Sequence, residues 1–376
     1  MIKTEVSKSD GFALNNKISL RQLQALLILE VFGFGVTALP RRVAEDAGQD
    51  GWISVLLATV AIIPMVMIIS HITKLAGGQS FHDFACAVIS KPLGIVISLI
   101  FCTRLVLMAA FNLRIFAEIT RQTMLPSTPF AVIFVSMLML AAYGAAKGIE
   151  TRARMAEVLI LVVLLPLIFV FGISGRDIDF TNLAPVMVAP LENIVSGGYS
   201  AFFAFSGIEV LLMVSPYLSR PKHLAKSSGQ AVITIGIFMT IVTIVTIARF
   251  GSESIIHQMW PVLKMMDTIS LPGSIIDRQG ALIMTFWIIS AYATINAALF
   301  FSSLLLKDVV GRGQHSGYIL ALVPIIAILA YLPENLIIVY DLHMLANFTL
   351  GLATMVGIPL LLFIIAKIRG IRGDIQ

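Results

Sequence analysis

The chain has 376 residues, 58% of them hydrophobic and 12% charged, and a formal net charge of +5. That balance is too apolar for a soluble globular domain and indicates a polytopic membrane protein. The basic residues are spread over many short loops, which fits membrane topology and not a nucleic-acid surface.

Residues 1–18 are polar and contain Lys3, Lys8 and Lys17, and no short apolar run with a small-residue cleavage site precedes the first long hydrophobic stretch. They are expected to form a cytoplasmic tail and not a signal peptide. Crossing a hydrocarbon core of roughly 30 Å takes about 20 helical residues. Ten runs qualify, at 19–40, 52–74, 93–119, 128–146, 154–174, 196–218, 229–250, 279–306, 317–333 and 343–367. With the N-terminus inside, 17 of the 26 Lys and Arg are cytoplasmic, seven are outside, and Arg104 and Arg114 fall within the third span. The bias favours an even number of spans with both ends inside, so 19–369 forms one transmembrane domain and 370–376 a second cytoplasmic tail. Between spans, Ser80 to Ser90 is expected as a short cytoplasmic helix. Ser252 to Asp277, with Trp260-Pro261 and Leu271-Pro272-Gly273, is too polar and broken to cross, and is expected over the outer mouth as a lid or a connector. Cys86 and Cys102 have no spacing for a metal or a disulfide and read as apolar fillers.

Two spans carry glycine and a hydroxyl near mid-membrane, with a carboxylate close by. The first reads Leu29-Glu30-Val31-Phe32-Gly33-Phe34-Gly35-Val36-Thr37, and the sixth reads Ala201-Phe202-Phe203-Ala204-Phe205-Ser206-Gly207-Ile208-Glu209. Paired interruptions in two halves point to a secondary-transporter site. Superimposing Gly35 on Gly207 makes spans one to five (about 19–174) correspond to spans six to ten (about 191–369). An odd number of spans per half inverts the second. The expected fold is therefore all-α, with about ten transmembrane helices in a 5+5 inverted repeat whose helices one and six are broken. Freed amides at a half-helix start can bind a carboxylate, and freed carbonyls at the opposing end an ammonium, which suits an amino acid. The expected ligand-binding residues are Gly33, Gly35, Val36, Thr37, Phe203, Phe205, Ser206 and Gly207. For Gly33 and Gly35 alone, tight helix packing is the plainer alternative.

A charge at mid-membrane costs about 2.5–3.5 kcal/mol on an isolated helix, so Glu30, Arg104, Arg114, Glu118 and Glu209 need partners. Arg114 and Glu118, four apart, suit a local pair. Arg104 needs an acid from another span, either Glu209 or Glu30; alternatively it contacts a ligand carboxylate or takes part in gating. In the eighth span Thr294 and Asn296 form a possible ion site beside the first span, although hydroxyls also bond ordinary helix backbone. The six histidines lack metal-ligand spacing, and no nucleophile–base pair or phosphate loop is present. An enzyme is disfavoured, and neither cofactor nor metal is expected.

Several stretches resemble the spore-germination permease family, the integral-membrane B subunits of nutrient germinant receptors, within the amino acid, polyamine and organocation transporter superfamily. They are Ile18-Ser-Leu-Arg-Gln22, Ala47-Gly-Gln-Asp-Gly-Trp52, Leu125-Pro-Ser-Thr-Pro129, Gly148 to Glu157, Asn182-Leu-Ala-Pro185 and Asp277 to Trp287, together with Gly33-Phe-Gly-Val and Phe203 to Glu209. The resemblance implies a ten-helix transporter-like fold and an amino acid or similar nutrient as ligand. It also implies an A subunit and a lipoprotein C subunit as partners, and a place in the inner membrane of the spore. Two other functions remain open: an ion- or proton-coupled amino acid carrier acting without partners, and a structural membrane subunit with a vestigial site.

Overall fold

A computed structural model describes residues 16–174, 178–219, 221–267 and 279–371. The first helix, α1 (Leu20–Ala47), starts at a capping box: the Ser19 hydroxyl accepts from the Gln22 amide, and the Gln22 side chain accepts from the Ser19 amide. There follow α2 (Gly51–Leu75), α3 (Phe81–Val88), α4 (Lys91–Thr123), α5 (Phe130–Ala146), α6 (Ile149–Ser174), α7 (Leu191–Phe202) and α8 (Leu224–Phe250). The rest comprises α9 (Ser252–Ile255), α10 (Pro261–Asp267), α11 (Gln279–Val310), α12 (His315–Tyr331), α13 (Leu336–Ala346) and α14 (Ile358–Ile368). Among the described residues the β-type pairing is a single isolated bridge, Ile18 to Leu218.

These helices fall on the ten expected spans, with α3 as the short helix between the second and third. The stretches Val36–Leu75, Lys91–Thr123, Pro221–Phe250, Thr285–Val310 and Leu336–Ile368 are long and apolar enough to cross a membrane, and α5 meets α6 at a bend of 120°. Val132, Val135, Met139 and Leu140 expose one apolar face of α5. Such a face is stable in lipid and costly in water.

The connections gather at two ends, as alternating spans require. At one end Asp50, after α1, accepts from the amides of Met187, Val188 and Ala189 before α7, and Asn182 donates to the Ala248 carbonyl at the close of α8. At the other end Ile18 pairs with the chain beside Leu218, the Asn16 amide donates to Glu150, and Arg369 donates to the Ala87 and Ile89 carbonyls after α3. Helix α1 runs through the middle, packed on α6, α7, α8 and α11, while α2 packs on α7 and α8 and α4 on α11.

The two expected interruptions differ. The sixth span is broken: α7 ends at Phe202, tight 3₁₀ turns cover Phe203–Phe205 and Ile208–Met213, and Gly207 between them has φ 108°. A side chain at that φ would be strained, so the break depends on glycine. The first span is not broken in this conformation, since α1 keeps a helical backbone from Leu20 to Ala47. Gly33 and Gly35 loosen a helix without removing a donor or forcing a positive φ, and packing on four neighbouring helices holds it together. The tenth span, unforeseen, carries π-helical turns at Asn347–Gly351 and Ala353–Gly357.

Of the segment expected over the outer mouth, α9 and α10 are described, and residues 268–277 lie outside the described residues. Helix α10 buries Val262 and Met265 and packs on α1, α8 and α11. Beside it, Trp260 Nε1 donates to the Tyr340 hydroxyl at 2.7 Å.

Candidate functional site

The break in the sixth span is held by one guanidinium. Arg104 on α4 is 1% exposed and Glu209 fully buried, and Arg104 Nε donates to Glu209 Oε1 at 2.9 Å. Nη1 donates to Asn347 Oδ1 at 3.2 Å and Nη2 to Ser206 Oγ at 2.5 Å. The other Glu209 oxygen accepts from the Gly207 amide at 2.8 Å. Three separate segments therefore meet on Arg104, and the amide that the break releases is satisfied by the acid that neutralises the arginine. Asn347 reaches it from a π-helical turn, which shifts the register of the tenth span; such turns cluster at functional sites. A Cβ on Gly351, one turn further, would lie 3.0 Å from Arg104 Nη1, so this backbone approaches the arginine closely.

Of the two acids open to Arg104, then, Glu209 is its partner. Arg114 and Glu118 form the local pair at 3.3 Å.

Above this node lies a cavity of about 50 Å³, with Glu30, Met108, Asn112, Phe203, Ser206 and Asn347 among its lining. It has room for roughly three waters, well below the 300 Å³ or more of an open ligand pocket. A second cavity of about 180 Å³ shares Arg42, Ser200, Phe203 and Asn347 with it. Phe203 thus stands between the two, held edge-on against Tyr199 and Phe348 at 5.1 Å.

The expected binding residues divide. Phe203 and Ser206 line the inner cavity, and Gly207 backs on its wall: a Cβ there would come 3.0 Å from Glu30 Cγ. Phe205, Val36 and Thr37 do not line it; they are 0%, 0% and 1% exposed. Gly33 and Gly35 lie on the helical backbone of α1, and their surroundings lie outside the description. Because α1 stays helical, the helical period decides which residues face the cavity, and Glu30, Val31, Ala38 and Arg42 take the places expected of Val36 and Thr37.

Thr294 and Asn296 do not converge. Thr294 lines the inner cavity and its hydroxyl donates to the Glu30 carbonyl at 3.3 Å and to the Ser290 carbonyl at 3.1 Å. Asn296 faces α5 and α6, donating to the Ala141 carbonyl and accepting from Arg152 Nε. Residues two apart on a helix point to different faces, which separates them.

Sequence reasoning missed Asn112, Arg42 and Asn347. Asn112 is 1% exposed and lines the cavity, and among the described residues its Oδ1 has no hydrogen-bond partner. An amide in the middle of an apolar span was a legible signal for it. His343 is also in the lining and stacks edge-on with Phe111 at 6.1 Å.

This bundle, with one span broken at mid-membrane, has the architecture of a secondary transporter. It superposes on the crystal structure of MhsT in complex with L-phenylalanine with a TM-score of 0.69, covering 92% of this chain and 88% of that one at 14% identity. The chain is thus an all-α, multi-pass membrane protein that shares the fold of that structure.

It belongs to the spore permease family, described as spore germination protein, whose model matches residues 17–337. Similar proteins include spore germination protein YndE of Bacillus subtilis (strain 168), 27% identical over 368 residues, 96% of this chain and 99% of that one. Spore germination protein B2 of the same strain is 23% identical over 286 residues, 74% of this chain and 76% of that one. Spore germination protein GerQB of Bacillus cereus is 27% identical over 289 residues, 77% and 79% of the two chains. Family and fold agree in being non-enzymatic.

Proposed function

We propose that this protein is the integral-membrane subunit of a spore germinant receptor, that it binds a small nutrient between α1 and the broken sixth span, and that occupancy triggers germination. Its partners on this reading are a receptor A subunit and a lipoprotein C subunit, in the inner membrane of the spore. The observation that carries the ligand site is the inner cavity, where the Asn112 amide oxygen, without a partner among the described residues, shares the lining with Ser206 at the break. An amino acid fits the chemistry: the Asn112 carbonyl oxygen accepts from its ammonium, and the Arg42 side of the cavity draws its carboxylate.

Arg104 is not the ligand's carboxylate partner in this conformation, because it does not line the inner cavity and its Nε, Nη1 and Nη2 each hold a protein partner. Its role is to fix the break. The cavity is smaller than an amino acid, so binding requires outward movement of Phe203, which already borders the larger outer cavity. That movement, carried through the Ser206–Arg104–Asn347 contacts, is the signal passed to the partner subunits.

The test is a thermal-shift screen of the purified chain against the proteinogenic amino acids. A ligand at one hundred times its dissociation constant adds about 2.7 kcal/mol, so a binder gives a saturable rise in Tm. Replacement Asn112→Leu is expected to abolish that rise while the unliganded Tm holds. No shift with any amino acid overturns the amino acid reading, and a shift indifferent to Asn112→Leu overturns the site.

A further inference from the structure

Helices α2 and α14 finish side by side at the end of the bundle that holds Ile18 and α3. Between them runs a groove of about 640 Å³, walled by Met67, Leu75, Phe363 and Ile371 and bordered by His71 and Lys367. That volume falls in the range of about 300–1,000 Å³ typical of small-ligand sites. Among the described residues no carboxylate lines it. Around it Met67, Leu361 and Ile368 keep the surface apolar and exposed, as a lipid-facing wall requires.

The end of α14 builds this groove. The Ile371 amide donates to the Ala366 carbonyl at 3.0 Å and the Gly370 amide to the Lys367 carbonyl at 3.2 Å, with Gly370 at φ 62°. This Schellman turn folds Ile371 back beside the helix and takes up two of its last carbonyls, which would otherwise leave the helix end negative. Arg369 fixes the turn to α3 by donating to the Ala87 and Ile89 carbonyls. Lys367, by contrast, is exposed, and among the described residues neither it nor Lys74, on the last turn of α2, has an ion pair. Lys74 stands three residues on from His71, which places the two on one face of α2. Snorkelling explains a lone lysine at a span end. It does not explain an apolar groove with cations from two helices at its mouth.

We propose that this groove binds an anionic phospholipid, with an acyl chain between α2 and α14 and the phosphate on the Lys367 ammonium, beside His71 and Lys74. The lipid ties the end of the tenth span to α2. Helix α2 in turn holds the broken sixth span, because the Thr73 hydroxyl donates to the Leu211 carbonyl at 3.0 Å. Occupancy therefore stiffens the two spans that meet on Arg104. No nutrient takes part, so this site and the inner cavity stand or fall separately.

The purified full chain, in a neutral detergent, is melted with increasing dioleoylphosphatidylglycerol, with dioleoylphosphatidylcholine, and with soluble glycerol 1-phosphate. The expected result is a saturable rise in Tm with phosphatidylglycerol alone. Lys367→Gln is expected to raise the half-saturating concentration about fivefold, the worth of one lysine at an anionic lipid surface. Lys147→Gln, which removes a charge at the α5–α6 turn outside the groove, is expected to leave it unchanged. If Lys367→Gln yields no folded protein, Lys74→Gln is read in its place with the same expectation. An equal rise with phosphatidylcholine or with glycerol 1-phosphate overturns the proposal. An equal loss in the Lys147 variant also overturns it, since that is general charge attraction. No rise from a chain that runs as a dimer gives the groove to a second copy, and no rise from a monomer leaves it without an anionic lipid; either result overturns the proposal.

Discussion

Arg104 shows how a buried charge is made tolerable: its three nitrogens tie the broken sixth span, at Ser206 and Glu209, to Asn347 of the tenth, and the pair with Glu209 closes the backbone break beside it. Removing one member of such a pair strands the other in a low-dielectric interior. Glu209→Ala is accordingly expected to cost about 3–5 kcal/mol, read as a large drop in Tm of the purified protein. Arg104→Met with Glu209→Met is expected to recover part of that loss, the remainder reflecting the stranded Gly207 amide and Asn347. Gly207→Ala is expected to cost about 1–2 kcal/mol from the left-handed backbone alone, and more from the approach to Glu30. That Arg104 needed an acid was legible in the sequence, since a lone arginine in an apolar span has to be neutralised. Which acid it takes depends on helix packing, and Asn347 was invisible because its position depends on a π-helical register that no local pattern announces.

At the scale of elements, the break in the sixth span was readable because a Ser-Gly pair before a glutamate interrupts a strongly apolar run. The matching break in the first span is absent here. Gly33 and Gly35 permit a break without compelling one, and α6, α7, α8 and α11 hold α1 in helical form. This one difference explains why Val36 and Thr37 are core residues and why Val31 and Ala38 line the cavity instead. The outer segment was legible as non-spanning from its prolines, but its seat on α1 and Tyr340 depends on long-range packing. Trp260→Phe deletes the bond to Tyr340 and is expected to cost about 0.5–1.5 kcal/mol. Faster amide exchange in α10, with α4 unchanged, is the expected signature in hydrogen-exchange mass spectrometry.

For the whole molecule, hydropathy and the distribution of lysine and arginine were enough to place ten helical segments, because a membrane leaves the backbone few choices. The links at each end agree with alternating spans. Asp50 ties the turn after α1 to the approach to α7, and Ile18 ties the opposite end to the chain after the broken span. On the orientation we propose, with both ends cytoplasmic, a cysteine at Gln258 is expected to react with a membrane-impermeant maleimide in intact cells and one at Gly313 is not; the reverse pattern contradicts that orientation.

The central claim is that a nutrient enters the inner cavity and is sensed there. Filling that cavity without touching the Arg104 contacts is the most direct test, and Ala204, which lines it, allows this. Spores carrying Ala204→Leu are to be compared with wild-type spores across a nutrient concentration series, with the membrane content of the protein matched and a non-nutrient trigger as control. The account predicts at least about a tenfold rise in the nutrient concentration needed for half-maximal germination, equivalent to about 1.4 kcal/mol of lost binding, with the control unaltered. An unchanged nutrient response at normal protein level would contradict it.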